Sequence, residues 1–185
     1  MAVGDIDDRM FIAWVQRHAA RREATLLDAA RRRPHIAHMT DPFLQPEDLS
    51  AAAAIAEIAD ELATFDDWME RYQYIIELGR KLPAFPDAWA DDAHRVPGCQ
   101  SKVWMEAALR DGRLYFAGAS DAAIVMGLVA LLLRVYSGRP AAEILATDPV
   151  FLKDLGLLEA LSTNRGNGIA SMARKVREAA VAAQA

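Results

Sequence analysis

Cys99 is the one cysteine of the chain and stands in the run Val96-Pro97-Gly98-Cys99-Gln100-Ser101-Lys102. A free cysteine is most often a small buried apolar residue, but this context argues for a presented thiol. Pro97-Gly98 makes a turn, and its polar neighbours place Cys99 at a loop-to-strand junction. The thiolate is the nucleophile, and nearby positive charge promotes it. His94, Arg95 and Lys102 are local sources of such charge and Arg165 a distant one. Each of them alone reads as a solvated charge rather than an activator.

Several chemistries fail on residue count or spacing. A Cys–His hydrolase needs a base and a group that orients it; His94 can serve as base, but an i, i+5 separation across Pro-Gly is no known signature. A redox pair needs a second cysteine. A metal or iron–sulfur site needs three or four ligands, which Cys99 and the scattered His18, His35, His38 and His94 do not supply. No glycine-rich phosphate loop is present. Gly166-Asn167-Gly168 before a helix reads as a turn rather than an anion site. What remains is a single-thiol protein that accepts or relays a group.

The elements that position this thiol follow from periodicity. The chain has 185 residues with a net charge of −5. That length suits one ordinary domain with a core of its own, and the charge disfavours generic nucleic-acid binding. The longest apolar run, Ala122 to Leu133, is about 12 residues, short of the ~20 that span a bilayer. The acidic start lacks a secretory apolar core, so a soluble, cytoplasmic protein without membrane contact is expected.

From Ala51, Ile55, Ile58, Leu62 and Phe65 recur at helical spacing. Thr64-Phe65-Asp66-Asp67 has capping-box spacing ahead of a second helix striped by Trp68, Tyr72, Ile75, Ile76 and Gly79, which read as core. Asp111-Gly112 between Ser101–Arg110 and Arg113–Ala117 predicts a two-residue hairpin. Ser120 or Asp121 caps a helix from Ala122 that is apolar on every face and therefore central. Pro140 and Asp148-Pro149 open short helices, Ser162 to Gly168 reads as a loop, and Ile169 to Val181 as a last amphipathic helix. The fold class is α+β, a small antiparallel sheet packed with helices.

Four segments carry a family resemblance. They are Arg71-Tyr72-Gln73-Tyr74-Ile75-Ile76-Glu77-Leu78-Gly79, Val96-Pro97-Gly98-Cys99-Gln100-Ser101-Lys102-Val103-Trp104, Gly118-Ala119-Ser120-Asp121-Ala122-Ala123-Ile124-Val125-Met126-Gly127, and Asn164-Arg165-Gly166-Asn167-Gly168. In order and spacing they resemble the SufE family of sulfur-acceptor proteins, over about Phe65 to Val181.

The resemblance implies a SufE/IscU-like fold, related to the iron–sulfur scaffold proteins, with two to three strands. Two are legible, and the third is expected from the His94 to Val96 region. It implies that Cys99 takes persulfide sulfur from a SufS-type cysteine desulfurase, stimulates that enzyme, and passes the sulfur to a downstream iron–sulfur scaffold complex. The chain then has no cofactor of its own, since the pyridoxal phosphate is held by the desulfurase, and no metal. It is a covalent partner in sulfur transfer rather than a stand-alone enzyme. Asp121 and Arg165 match positions near the acceptor loop or the desulfurase-facing surface and take supporting roles; His94 is a further candidate, and Gly98 the local hinge. Two other readings stay open: a non-covalent activator of a desulfurase with Cys99 structural, and a thiol hydrolase using Cys99 and His94.

The domain reading is an N-terminal extension and linker over residues 1–50 and a sulfur-acceptor domain over 51–185. Met1 to His38 carries seven Arg, no Lys and five acids, while the rest is net acidic. The expectation is a dispensable arm or extended start, with the working protein beginning near Met39. The competing reading is an amphipathic helix built on Phe11, Trp14 and Leu27.

Overall fold

In a computed structural model, residues 41–157 and 163–184 are described, 163–167 by their backbone alone. The expectations for Met1 to His38 lie outside the described residues. Helix α1 (Ala51–Ala63) starts where the Ser50 side chain accepts from the Ala53 amide at 3.1 Å. It buries Ile58 and Leu62. Helix α2 (Trp68–Arg80) is capped by Asp67, which accepts from the Glu70 amide at 2.9 Å. That corrects the capping expectation for Thr64, whose hydroxyl instead donates to the Glu61 carbonyl and closes α1. Asp67 and Glu70 form the better-spaced pair, with Glu at the third helical position.

Strands β1 (Val103–Arg110) and β2 (Arg113–Ser120) pair antiparallel, from Arg110 opposite Arg113 to Val103 opposite Ser120. Asp111 and Gly112 both have positive φ, 50° and 74°, the conformation that two-residue hairpin turns require. The sheet has two strands. The third strand expected near His94 is reduced to one bridge, Arg95 opposite Trp104. Pro97 explains the stop, because it has no N–H to extend the ladder.

Helix α3 (Ala123–Tyr136) lies at the centre, with Leu128, Val129, Leu131, Leu132 and Leu133 all buried. It packs on α1, α2 and β2. Neither Ser120 nor Asp121 is its N-cap residue. That place falls to Ala122, with no side-chain hydrogen bond, while Ser120 ends β2. Short helices α4 (Ala141–Ala146) and α5 (Phe151–Asp154) lead towards α6 (Thr163–Ala182). The stretch read as a loop up to Gly168 is therefore helical from Thr163. Its glycines weaken a helix by only ~1 kcal/mol each, and the Ile169, Met172, Val176 and Ala180 stripe that follows is buried. Packing of that stripe outweighs the local preference.

Pro42 and Pro46, within the stretch expected to be extension and linker, flank a packed segment. Phe43 is buried, Leu44 donates its amide to the Phe116 carbonyl at 2.9 Å, and Arg139 donates to the Asp48 carbonyl at 2.7 Å. No helix among the described residues is long and apolar enough to cross a membrane.

Candidate functional site

The segment from Val96 to Val103 is a loop tied at its stem and laid along a helix. At the stem, the Val96 amide donates to the Val103 carbonyl at 2.8 Å and the Met105 amide to the His94 carbonyl at 3.0 Å. Gly98 then turns the chain with a φ of 85°, a conformation costly for residues with a Cβ. A Cβ there would also lie 2.9 Å from Ser171 Oγ. The backbone angle is what requires glycine; the Ser171 hydroxyl is a side-chain end that can turn aside.

Cys99 follows at the tip, free and half-buried. Its Sγ–H donates to the Gly168 carbonyl at 3.5 Å. A Cβ on Gly168 would sit 3.4 Å from the sulfur, so α6 is bare where the thiol meets it. A crevice of about 20 Å³ opens beside the sulfur, lined by Ser101, Val125, Leu128, Ile169 and Met172. That is room for about one water-sized group. Burial pushes the Cys99 thiol above its ordinary pKa, and the nearby Arg95 charge opposes this without cancelling it. In this conformation the sulfur is half-sheltered, and its burial disfavours the thiolate.

The other expected residues divide. Arg95 is the cation whose charge reaches the thiol. The Lys102 amide donates to Asp121 Oδ1 at 2.9 Å, while Asp121 N and Ser120 Oγ donate to the Lys102 carbonyl at 3.2 Å and 2.8 Å. Asp121 therefore clasps the open end of the hairpin at the foot of the loop and holds its far leg. His94 is not poised as a free base. Its Nδ1 lies 2.6 Å from Asp91 Oδ1, its Nε2 lies 3.2 Å from Glu106 Oε2, and its ring stacks on Trp89. The bond to His94 holds the Asp91 carboxyl below its usual pKa. The Arg165 side chain lies outside the described residues. Among the described residues, no three His, Cys, Asp or Glu side chains group as metal ligands.

Two contributors were missed from the sequence, Ser171 under Gly98 and Lys175, whose Nζ donates to the His94 carbonyl at 2.8 Å. With Gly168 and Met172 they follow an i, i+3, i+4, i+7 spacing on α6. That spacing is visible in the sequence, but the larger apolar residues at Met172 and Val176 draw the eye to the core face. Chemically, the site is one thiol at the tip of a loop turned at Gly98, beside a small crevice and with no second thiol in the chain.

Residues 56–180 match the family model described as SufE: Fe-S metabolism associated domain. The chain belongs to the SufE family. An uncharacterized SufE-like protein of Rhizobium etli is 42% identical over 134 residues, covering 69% of this chain and 90% of that protein. The sulfur acceptor protein CsdE of Escherichia coli is 33% identical over 140 residues, covering 75% and 95%. Among solved structures, the solution structure of a hypothetical protein from Thermus thermophilus matches with a TM-score of 0.60 at 20% identity, over 71% of this chain and 96% of that one. It supports the α+β fold class.

Proposed function

We propose that this SufE-family chain is a sulfur acceptor and carrier, with Cys99 as the accepting group and a SufS-type cysteine desulfurase as the donor. The observation that carries the reading is the single thiol at a loop tip just after Gly98, beside a crevice with room for about one water-sized group. The relationship to a protein named as a sulfur acceptor supports it.

The step balances without an external oxidant. The Cys99 thiol gives up its proton, and its thiolate attacks the outer sulfur of the desulfurase persulfide. A new S–S bond forms on Cys99, the old S–S bond breaks, and the desulfurase thiolate leaves. Sulfur changes carrier and no net oxidation occurs. A second thiol near Cys99 would discharge the persulfide as a disulfide, so one cysteine suits a relay. The reading assigns pyridoxal phosphate to the desulfurase, gives this chain no cofactor of its own, and makes an iron–sulfur scaffold complex in the cytoplasm the recipient. Arg165 and Asp121 keep supporting roles, Asp121 by holding the hairpin end that carries the loop.

The test is the intact mass of the protein after incubation with a SufS-type desulfurase and cysteine, without reductant. Wild type gains one sulfur atom, lost on adding a thiol reductant, and Cys99→Ser gains none. A wild-type chain that stays unmodified beside an active desulfurase overturns the reading. Should Cys99→Ser stimulate the desulfurase as well as wild type, the chain is instead a non-covalent activator.

A further inference from the structure

The loop that carries Cys99 touches α6 at both ends, and the two contacts differ in kind. At the tip, contact is a weak S–H bond to the Gly168 carbonyl and the close approach of Gly98 to Ser171. At the stem it is a charged donor, Lys175 Nζ, on the His94 carbonyl. Gly168 and Lys175 are seven residues apart on one helix, about 10 Å along its axis. The loop therefore lies lengthwise on α6, pinned where it leaves the sheet.

The crevice beside the half-buried sulfur holds about one water-sized group, and the S–H is turned to the Gly168 carbonyl. A tip lifted from α6 presents the sulfur more fully, and the stem contact opposes that departure. Lys175 is half-buried by the contact, and that burial holds its pKa below the ordinary lysine value despite the opposing charges of Glu106 and Glu178. Its ammonium has given up water for one carbonyl.

We propose that Lys175 is a positioning residue that holds the Cys99 loop down on α6, so that its bond to the His94 carbonyl sets how often the thiol is presented. The inference rests on the acceptor reading for its purpose but not for its test. The first readout is alkylation of Cys99 by iodoacetamide at neutral pH. Lys175→Met keeps the apolar stem of the side chain and removes the donor, and the His94 carbonyl retains its bond from Met105. Alkylation becomes about three- to tenfold faster, the range of one hydrogen bond of ordinary net strength at a half-exposed site. Simple loss of a cation near a thiol would act the other way, lowering the thiolate fraction and slowing the reaction. The signs thus separate positioning from electrostatics. Lys175→Arg, which keeps a charged donor, stays near the wild-type rate.

The second readout is sulfur loading by a SufS-type desulfurase at varied acceptor concentration. An acceptor presented more often needs a lower concentration for half-maximal loading, by the same factor, while the maximal rate holds. Circular dichroism checks the fold, and Lys175→Gln carries the same expectation should the Met variant not fold. Alkylation of both variants at or below the wild-type rate overturns the inference, whether or not Cys99 accepts sulfur. A wild-type chain that takes no sulfur while Lys175→Met alkylates faster overturns the acceptor reading and leaves the latch standing.

Discussion

Cys99 in its resting place is a poor nucleophile by design of its surroundings. Burial raises its pKa, and Arg95 is the charge working against that rise. The folded chain thus prefers the neutral thiol, and this preference stabilises it fully below the ordinary thiol pKa of ~8.5. The stabilisation is lost as pH climbs from there through the raised folded value. Two outcomes follow for alkylation measured against pH. The midpoint lies above ~8.5 in the folded protein and returns to that value in urea, and Arg95→Gln moves the folded midpoint higher still. A folded midpoint at or below the denatured one would contradict the burial argument. The place of Cys99 at a loop tip was legible because Pro97-Gly98 turns the chain just before it. Its shelter was not legible, since the shelter comes from Gly168 and Ser171, some seventy residues away in sequence.

At the scale of elements, α2 and α3 cross with almost no side chain between them. A Cβ on Gly79 would fall 2.6 Å from the Gly127 amide nitrogen, and one on Gly127 would collide with the Ile75 carbonyl. Both atoms in the way are backbone, which cannot swing aside. Gly127→Ala is expected to cost about 1–3 kcal/mol, towards the upper end, read as a lower urea midpoint with an unchanged slope. The change would tilt α3 and, through it, Val125 and Leu128 at the thiol crevice. It would therefore also alter the alkylation rate of Cys99. The hairpin was readable because Asp-Gly meets a local steric demand. The start of α6 was misread because Gly166-Asn167-Gly168 signals a turn locally, while the decisive interaction is the burial of Ile169 and Met172 beneath it. Local chemistry was legible and distant packing was not.

Across the whole molecule, a charged network joins segments far apart in sequence. Arg134 on α3 meets Glu61 on α1 at 2.7 Å and Asp48 ahead of α1 at 3.1 Å. Tyr74 of α2 donates its hydroxyl to the same Glu61 carboxylate. Glu61 is buried, so Arg134→Met strands a carboxylate, at a cost of about 3–5 kcal/mol. Glu61→Gln combined with Arg134→Met recovers part of that loss because the buried Glu61 charge is gone, while Asp48 still loses its partner. Thermal midpoints of the single and double variants check this; additive losses would mean the pair does not interact.

The same segment ahead of α1 has a second effect, seen along the outer side of β2. There the Phe116 carbonyl is taken by Leu44 and its amide by Ser137 Oγ; the Leu114 amide donates to Arg139, and its carbonyl accepts from Gly138. Beyond β1, Val103 and Met105 are likewise engaged by Val96 and His94. A small hairpin would otherwise offer a template on which a foreign strand could add. Here those backbone groups are spoken for, so along those stretches of the hairpin a foreign strand finds no free ladder to join. Any contact made there rests on side chains, which can be exchanged one at a time without disturbing the sheet.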